Sequence, residues 1–229
     1  MPALHRTRRG VPQRSARVAR EPKEEAMTET QLPDLKTPVA PAELYAALRR
    51  AWPAIVQDTL VTRPALLVLC GQWAFETGWG HACHRYNLGN AKHVPGDGHE
   101  WCEFPCTEVI NGTVITIDPP HPGCQFIAFE TLDEACIYYL TSLRGRWRAA
   151  WPYALAGDAA GFCHQLKLQG YYTDDEHHYT LSVQSCSASI DHVIPPDPSA
   201  ADVAHAALAD AALKRDPLHD DLDPPPDVA

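Results

Sequence analysis

The chain has 229 residues, 45% of them hydrophobic and 21% charged. That is enough apolar material for one packed domain with appendages. A formal net charge of −10 argues against nucleic-acid binding as the main role, because neutralising phosphates needs a basic surface. No run of about 18 apolar residues occurs, which excludes a membrane-spanning helix.

The charge is unevenly placed. Residues 1–26 hold seven Arg/Lys and three Glu, whereas residues 191–229 hold two basic and nine acidic side chains. The first segment has no apolar stretch behind its charges, so it does not read as a Sec signal. Two readings of it stand: a disordered basic arm, or a leader upstream of a start at Met27. The far end reads as a Pro-Pro-Asp-Pro linker at 195–198, a small Ala-rich helix over 199–214 capped by Ser199, and a disordered tail from Asp220. The expected organisation is an arm over 1–26, a folded domain over 27–194 and a tail over 195–229.

Within the domain, residues 41–60 read as helical. Pro41 suits a first turn, and Leu44, Leu48, Trp52 and Ile55 share a face. Pro53 is expected to split the stretch in two. A second helix is predicted from Pro64 to about Thr77, where Gly78 and Gly80 break it. One β element is predicted: Thr107–Ile110 and Thr113–Ile117 flank Asn111-Gly112, a hairpin signal, with Val109, Val114 and Ile115 supplying its packing. A helix over 131–143 opens on the capping box Thr131/Glu134 and carries Leu132, Cys136, Tyr139, Leu140 and Leu143. Another spans 158–169 from Asp158 to the stop at Gly170. A last helix follows a capping box at Thr173/Glu176 and carries Tyr179, Val183, Cys186 and Ile190. The fold class is therefore mainly α, with a small β-hairpin lobe inserted between helices.

Glu76 stands out chemically. It shares a helix face with Leu69 and Trp73, so an apolar stripe runs into a carboxylate at the helix C-terminus. Desolvation and the negative end of the helix dipole both disfavour its ionisation, and a carboxyl that stays protonated near neutral pH suits a general acid.

The surrounding segments, Gln72-Trp73-Ala74-Phe75-Glu76-Thr77-Gly78-Trp79-Gly80 and Tyr86-Asn87-Leu88-Gly89-Asn90-Ala91-Lys92, resemble the signature of the glycoside hydrolase family 73 glucosaminidases. That family has a helix ending in Glu-Ser-Gly-Trp-Gly followed by Asn-Leu-Phe-Gly-Ile-Lys. Thr77 replaces the serine, and Gly89-Asn90-Ala91 departs from Phe-Gly-Ile. Glu108, Asn111-Gly112, Phe126 and Phe129, the 131–143 helix, and Gly170-Tyr171-Tyr172-Thr173-Asp174 with Tyr179 continue the likeness in order, over roughly 41–187. The resemblance implies a lysozyme-like helical domain that cleaves the β-1,4 bond after N-acetylglucosamine in peptidoglycan. By the same resemblance Glu76 matches the general acid, Glu108 the second carboxylate and Tyr171 a tyrosine near the cleaved sugar. Trp79, Asn87, Tyr172 and Tyr179 are the candidate substrate-binding residues. No cofactor or resident metal is implied.

Eight cysteines permit disulfides outside the cytoplasm, with Cys102–Cys106 or Cys83–Cys124 as candidate pairs. Cys70, Cys136, Cys163 and Cys186 read as small core residues. His99, Cys102 and Cys106 with His81, Cys83 or His84 match no familiar zinc spacing. Two rival functions remain open. A lytic transglycosylase or muramidase would use the same fold. A wall-binding or assembly component of a phage, secretion or contractile-injection machine would use it without catalysis. Lacking a Sec signal, the chain is expected to reach the wall by another machine.

Overall fold

A computed structural model describes residues 29–57, 60–110 and 113–197. The expectations for the basic arm, the Asn111-Gly112 turn and the helix and tail beyond 198 lie outside these residues. Six helices are described: α1 Pro41–Ile55, α2 Arg63–Glu76, α3 Leu132–Gly145, α4 Trp151–Ala156, α5 Ala159–Leu168 and α6 Glu176–Val193. The strands are β1 Trp101–Glu103, β2 Cys106–Ile110, β3 Thr113–Ile117 and β4 Gln125–Ile127. The domain is mainly α with a small β lobe. None of the described helices is long and apolar enough to cross a membrane.

α1 is one helix, not two. Pro53 falls in its last turn; the bond it cannot donate weakens the preceding turn but does not stop the helix, which runs on to Ile55. The expected apolar face is buried at Leu44, Leu48 and Trp52. α1 packs along α3, and α2 along α6. Gly71 makes the second approach possible: a Cβ there would stand 2.0 Å from Ser187 Oγ and 2.7 Å from the Val183 carbonyl oxygen. α3 opens on the expected Thr131/Glu134 capping box. α6 is capped by Asp175, whose side chain accepts the His178 N–H at 2.9 Å. The expected cap at Thr173 is therefore corrected; Asp175 lies one residue before the helix, as an N-cap must. The six-residue α4 carried no sequence signal strong enough to be predicted.

The β lobe holds two antiparallel sheets where one was expected. β2 pairs with β3 in the predicted hairpin, Glu108 opposite Ile115. β1 pairs with β4, Cys102 opposite Phe126. The lobe has its own small core of Cys102, Phe104, Phe126 and Ala128, with the Phe104 and Phe126 rings stacked at 4.1 Å. Val114 is 68% and Ile115 40% exposed, contrary to the expectation that they pack the hairpin.

The eight cysteines carry free thiols, and neither candidate disulfide is present. The Cys83 thiol faces the Asn87 carbonyl at 3.8 Å, Cys106 the Gly123 carbonyl and Cys124 the Ile117 carbonyl, both at 3.2 Å. Cys70, Cys136 and Cys163 are buried as expected, and Cys186 is half-buried. Burial pushes the Cys136 thiol up to about 12.

Residues 195–197 are not a free linker. Asp197 accepts hydrogen bonds from Tyr45 Oη at 2.9 Å and Arg49 Nη1 at 2.5 Å, and Arg63 donates to the Ile194 and Pro195 carbonyls at 2.9 and 2.8 Å. A piece covering 29–197 is expected to be more stable than one ending at 194. The difference should be about 1 kcal/mol, since the Arg49–Asp197 pair is partly exposed. Equal denaturation midpoints for the two pieces would show that Asp197 adds nothing.

Candidate active site

α2 delivers Glu76 to the site, and the way the helix ends holds it there. Thr62 caps the start, accepting the Ala65 N–H at 3.3 Å. At the other end Gly78, with φ +54, turns the chain left-handed, and the Trp79 N–H bonds the Ala74 carbonyl at 2.7 Å. That is the six-to-one bond of a glycine-terminated helix. The buried Thr77 hydroxyl donates to the Trp73 carbonyl at 2.7 Å and accepts the Gly80 N–H at 3.0 Å, so Thr77 supplies the polar locking that a serine could also provide. Asn90 Nδ2 donates to the Glu76 main-chain carbonyl at 2.9 Å, tying the following loop to the helix end.

The Glu76 carboxyl accepts a hydrogen bond from Tyr179 Oη at 2.6 Å. Tyr179 in turn accepts from Gln72 Nε2 at 3.3 Å, and Tyr139 Oη donates to Gln72 Oε1. Three helices thus contribute to one hydrogen-bonded chain ending on the carboxyl. Burial pushes the Glu76 carboxyl above the ordinary carboxylate value, and the hydrogen bond from Tyr179 pulls less strongly the other way. Burial and the nearby Glu76 charge hold the Tyr179 phenol well above its usual range, so it stays a proton-bearing donor. Its ring stacks on Tyr172 at 3.7 Å.

A cleft of about 600 Å³ opens over this carboxyl. Its walls bring together Glu76, Glu108, Tyr171, Tyr172 and Tyr179, all singled out in the sequence, with Lys92 and Asn90. Glu108 reaches it from β2 and pairs with Lys92 Nζ at 3.0 Å. Lys92 lies over the Phe126 ring at 4.0 Å and donates to the Gly123 carbonyl at 2.5 Å. The Tyr171 hydroxyl donates to the Gly89 carbonyl at 3.1 Å.

Two sequence-predicted residues sit elsewhere. Trp79 does not line the cleft; it is 38% exposed in the left-handed turn after α2, with φ 61, and so it is not core either. Asn87 is buried and holds the loop: its Nδ2 donates to the Ala91 and Ile127 carbonyls, both at 2.9 Å, and its Oδ1 accepts the Ala91 N–H at 2.8 Å. Lys92 and Gln72 were quoted in the motifs but given no role. Their partners come from other elements, which local spacing does not show. His81, Cys83, His84, His99, Cys102 and Cys106 form no metal-ligating group among the described residues. His84 instead pairs with Asp34 at 2.5 Å and stacks on Phe104 at 4.1 Å.

No family model matches the chain, and no curated protein matches it. The solved structures it is similar to include the following three. A peptidoglycan hydrolase mutant from Sphingomonas sp. A1 is 22% identical, with 65% of this chain and 96% of that one covered at a TM-score of 0.49. A C-terminally truncated glycoside hydrolase domain of FlgJ from Salmonella typhimurium is 21% identical, with 67% and 99% covered at 0.45. The catalytic domain of the autolysin Auto from Listeria monocytogenes is 16% identical, with 69% and 88% covered at 0.45.

Proposed function

We propose that the chain is a peptidoglycan hydrolase cleaving the β-1,4 bond after N-acetylglucosamine, with Glu76 as general acid and Glu108 as second carboxylate. The observation that supports this most is the Glu76 carboxyl itself: raised by burial, hydrogen-bonded by Tyr179, and open to a cleft that also receives Glu108. A glycan strand in the cleft would take a proton from Glu76 at the leaving oxygen. Glu108 would activate water or offset the oxocarbenium-like charge on the opposite face. Tyr171 and Tyr172 provide aromatic wall for the sugar rings. The folded domain is the catalytic unit, and it works on the wall.

Release of new reducing ends from purified sacculi, abolished by Glu76→Gln, is the expected result; equal release by the variant and the wild type would remove Glu76 from the mechanism. The hydrogen bond from Tyr179 favours the ionised carboxylate, so its loss raises the Glu76 pKa further. Tyr179→Phe is therefore expected to move the high-pH limb of the kcat/KM profile upward, because the acid stays protonated to higher pH. A limb that stays in place would uncouple Tyr179 from proton delivery.

One observation favours a second reading. Lys92 holds Glu108 in an ion pair at 3.0 Å. A lytic transglycosylase needs one acid/base carboxylate, and Glu76 would serve as both while the sugar closes on itself to an anhydro end.

A further inference from the structure

A second polar cluster lies apart from the cleft, where the first described residues meet the loop before β1. The Glu29 and Asp97 carboxylates and the His93 ring bring one ligand atom each within 4.8 Å of one another. His93 Nε2 stands 3.3 Å from Glu29 Oε2 and 3.6 Å from Asp97 Oδ1. Around a tetrahedral cation with bond lengths near 2.0–2.1 Å, neighbouring ligand atoms sit about 3.3 Å apart. The His93–Glu29 separation already matches such a shell, and the His93–Asp97 separation is about 0.3 Å wider.

The histidine is the unusual member. Its side chain is only 3% exposed, yet neither ring nitrogen has a hydrogen-bond partner. Nε2 is within ion-pair reach of the two carboxylates but makes no hydrogen bond to either, and Nδ1 has no partner, which is costly for a buried imidazole unless something else satisfies it. The ring is held rather than loose: it stacks on Trp101 at 5.3 Å with a 14° interplanar angle, and its main-chain N–H bonds the Gln125 carbonyl at 3.1 Å. The carboxylates are held too. Asp97 Oδ1 and Oδ2 accept the His99 and Val94 N–H groups, both at 3.0 Å. Glu29 Oε1 accepts the Gly98 N–H at 2.8 Å, which leaves Oε2 turned to the histidine. Such supporting bonds are what orient ligands in metal sites.

We infer that Glu29, His93 and Asp97 bind a divalent transition-metal ion of the zinc class. One imidazole and two carboxylates give nitrogen–oxygen coordination with two negative charges, which suits zinc and its neighbours. Calcium needs six to eight oxygens, more than these side chains supply. The bound ion pins residue 29 to the 93–97 loop. That clamp adds to the main-chain bonds already there, Leu32 N–H to the Trp101 carbonyl at 2.7 Å and Trp101 N–H to the Thr30 carbonyl at 3.1 Å. Its role is structural, and Lys92, next in sequence to His93, is the cleft residue it steadies.

The test uses the full chain, stripped with a chelator and titrated with zinc ion against a chromogenic competitor, beside Glu29→Gln and His93→Phe. The first variant keeps an acceptor for the Gly98 N–H, and the second keeps the ring stacked on Trp101, so at least one is expected to fold. Wild type should bind one equivalent that both variants lose, or hold more weakly by at least the roughly 10–100-fold that removing a supporting partner costs. Zinc should also raise the melting temperature of wild type, and raise that of Glu29→Gln less or not at all. Absence of a stoichiometric zinc equivalent in wild type would overturn the inference and leave an ion-paired knot. Equal zinc binding by wild type and Glu29→Gln would overturn it as well, by placing the metal on other side chains.

Discussion

Glu76→Gln is expected to lower turnover on purified sacculi by about 10²–10⁴, the range that positioned proton transfer contributes. The amide keeps the size of the carboxyl and can still accept the Tyr179 hydrogen bond, so the fold should survive. Stability supplies an independent reading. The folded Glu76 carboxyl has its pKa raised above the ordinary 4.5. The stability tied to its protonated form is therefore fully present below the ordinary value and is lost as pH rises through the folded value. Glutamine stays neutral throughout. The variant should match wild type in acid and melt at a higher temperature at neutral pH. A variant with near-normal turnover, or one less stable than wild type at neutral pH, would contradict the role and environment assigned to Glu76.

Glu108→Gln is expected to lose most of the rate while still binding glycan strands, if water is activated by a second carboxylate. The hairpin should tolerate the change, since β2 and β3 stay paired through their main chains and Glu108 is only partly buried. Lys92 complicates the outcome in a useful way. It neutralises Glu108 at 3.0 Å, so Lys92→Met should leave the carboxylate freer and change the rate in its own right if Glu108 takes part. Near-normal turnover in both variants, with Glu76 still essential, would favour the one-carboxylate transglycosylase chemistry.

Helices with strong terminal chemistry were readable from the sequence. α2 begins at a Thr-Arg-Pro start and ends at a glycine that must turn left-handed, and α3 carries its capping box in plain sight. The Glu76 argument was readable for the same reason, because an apolar stripe at helical spacing places the carboxyl without tertiary information. What failed was non-local or marginal. β1 and β4 are three residues each, too short for alternation to show, and their pairing joins segments more than twenty residues apart. A proline such as Pro53 suggests a break, and only the observed end of α1 at Ile55 shows that it stands in the last turn. Thr173 and Asp175 both offer cap chemistry, and the packing of α6 on α2 decides between them. The Lys92–Glu108 pair, the Tyr139–Gln72–Tyr179 relay and the exposure of Val114 and Ile115 all depend on how elements meet. The cluster at Glu29, His93 and Asp97 gave no signal in the sequence, because Glu29 stands 64 residues before His93.

Peptidoglycan digested to completion, reduced with borohydride and resolved by mass spectrometry tests the central claim most directly. Hydrolysis after N-acetylglucosamine leaves that sugar as the new reducing end, so the expected products carry reduced glucosamine. Products carrying reduced muramic acid or anhydro-muramic ends would contradict the proposed bond and chemistry.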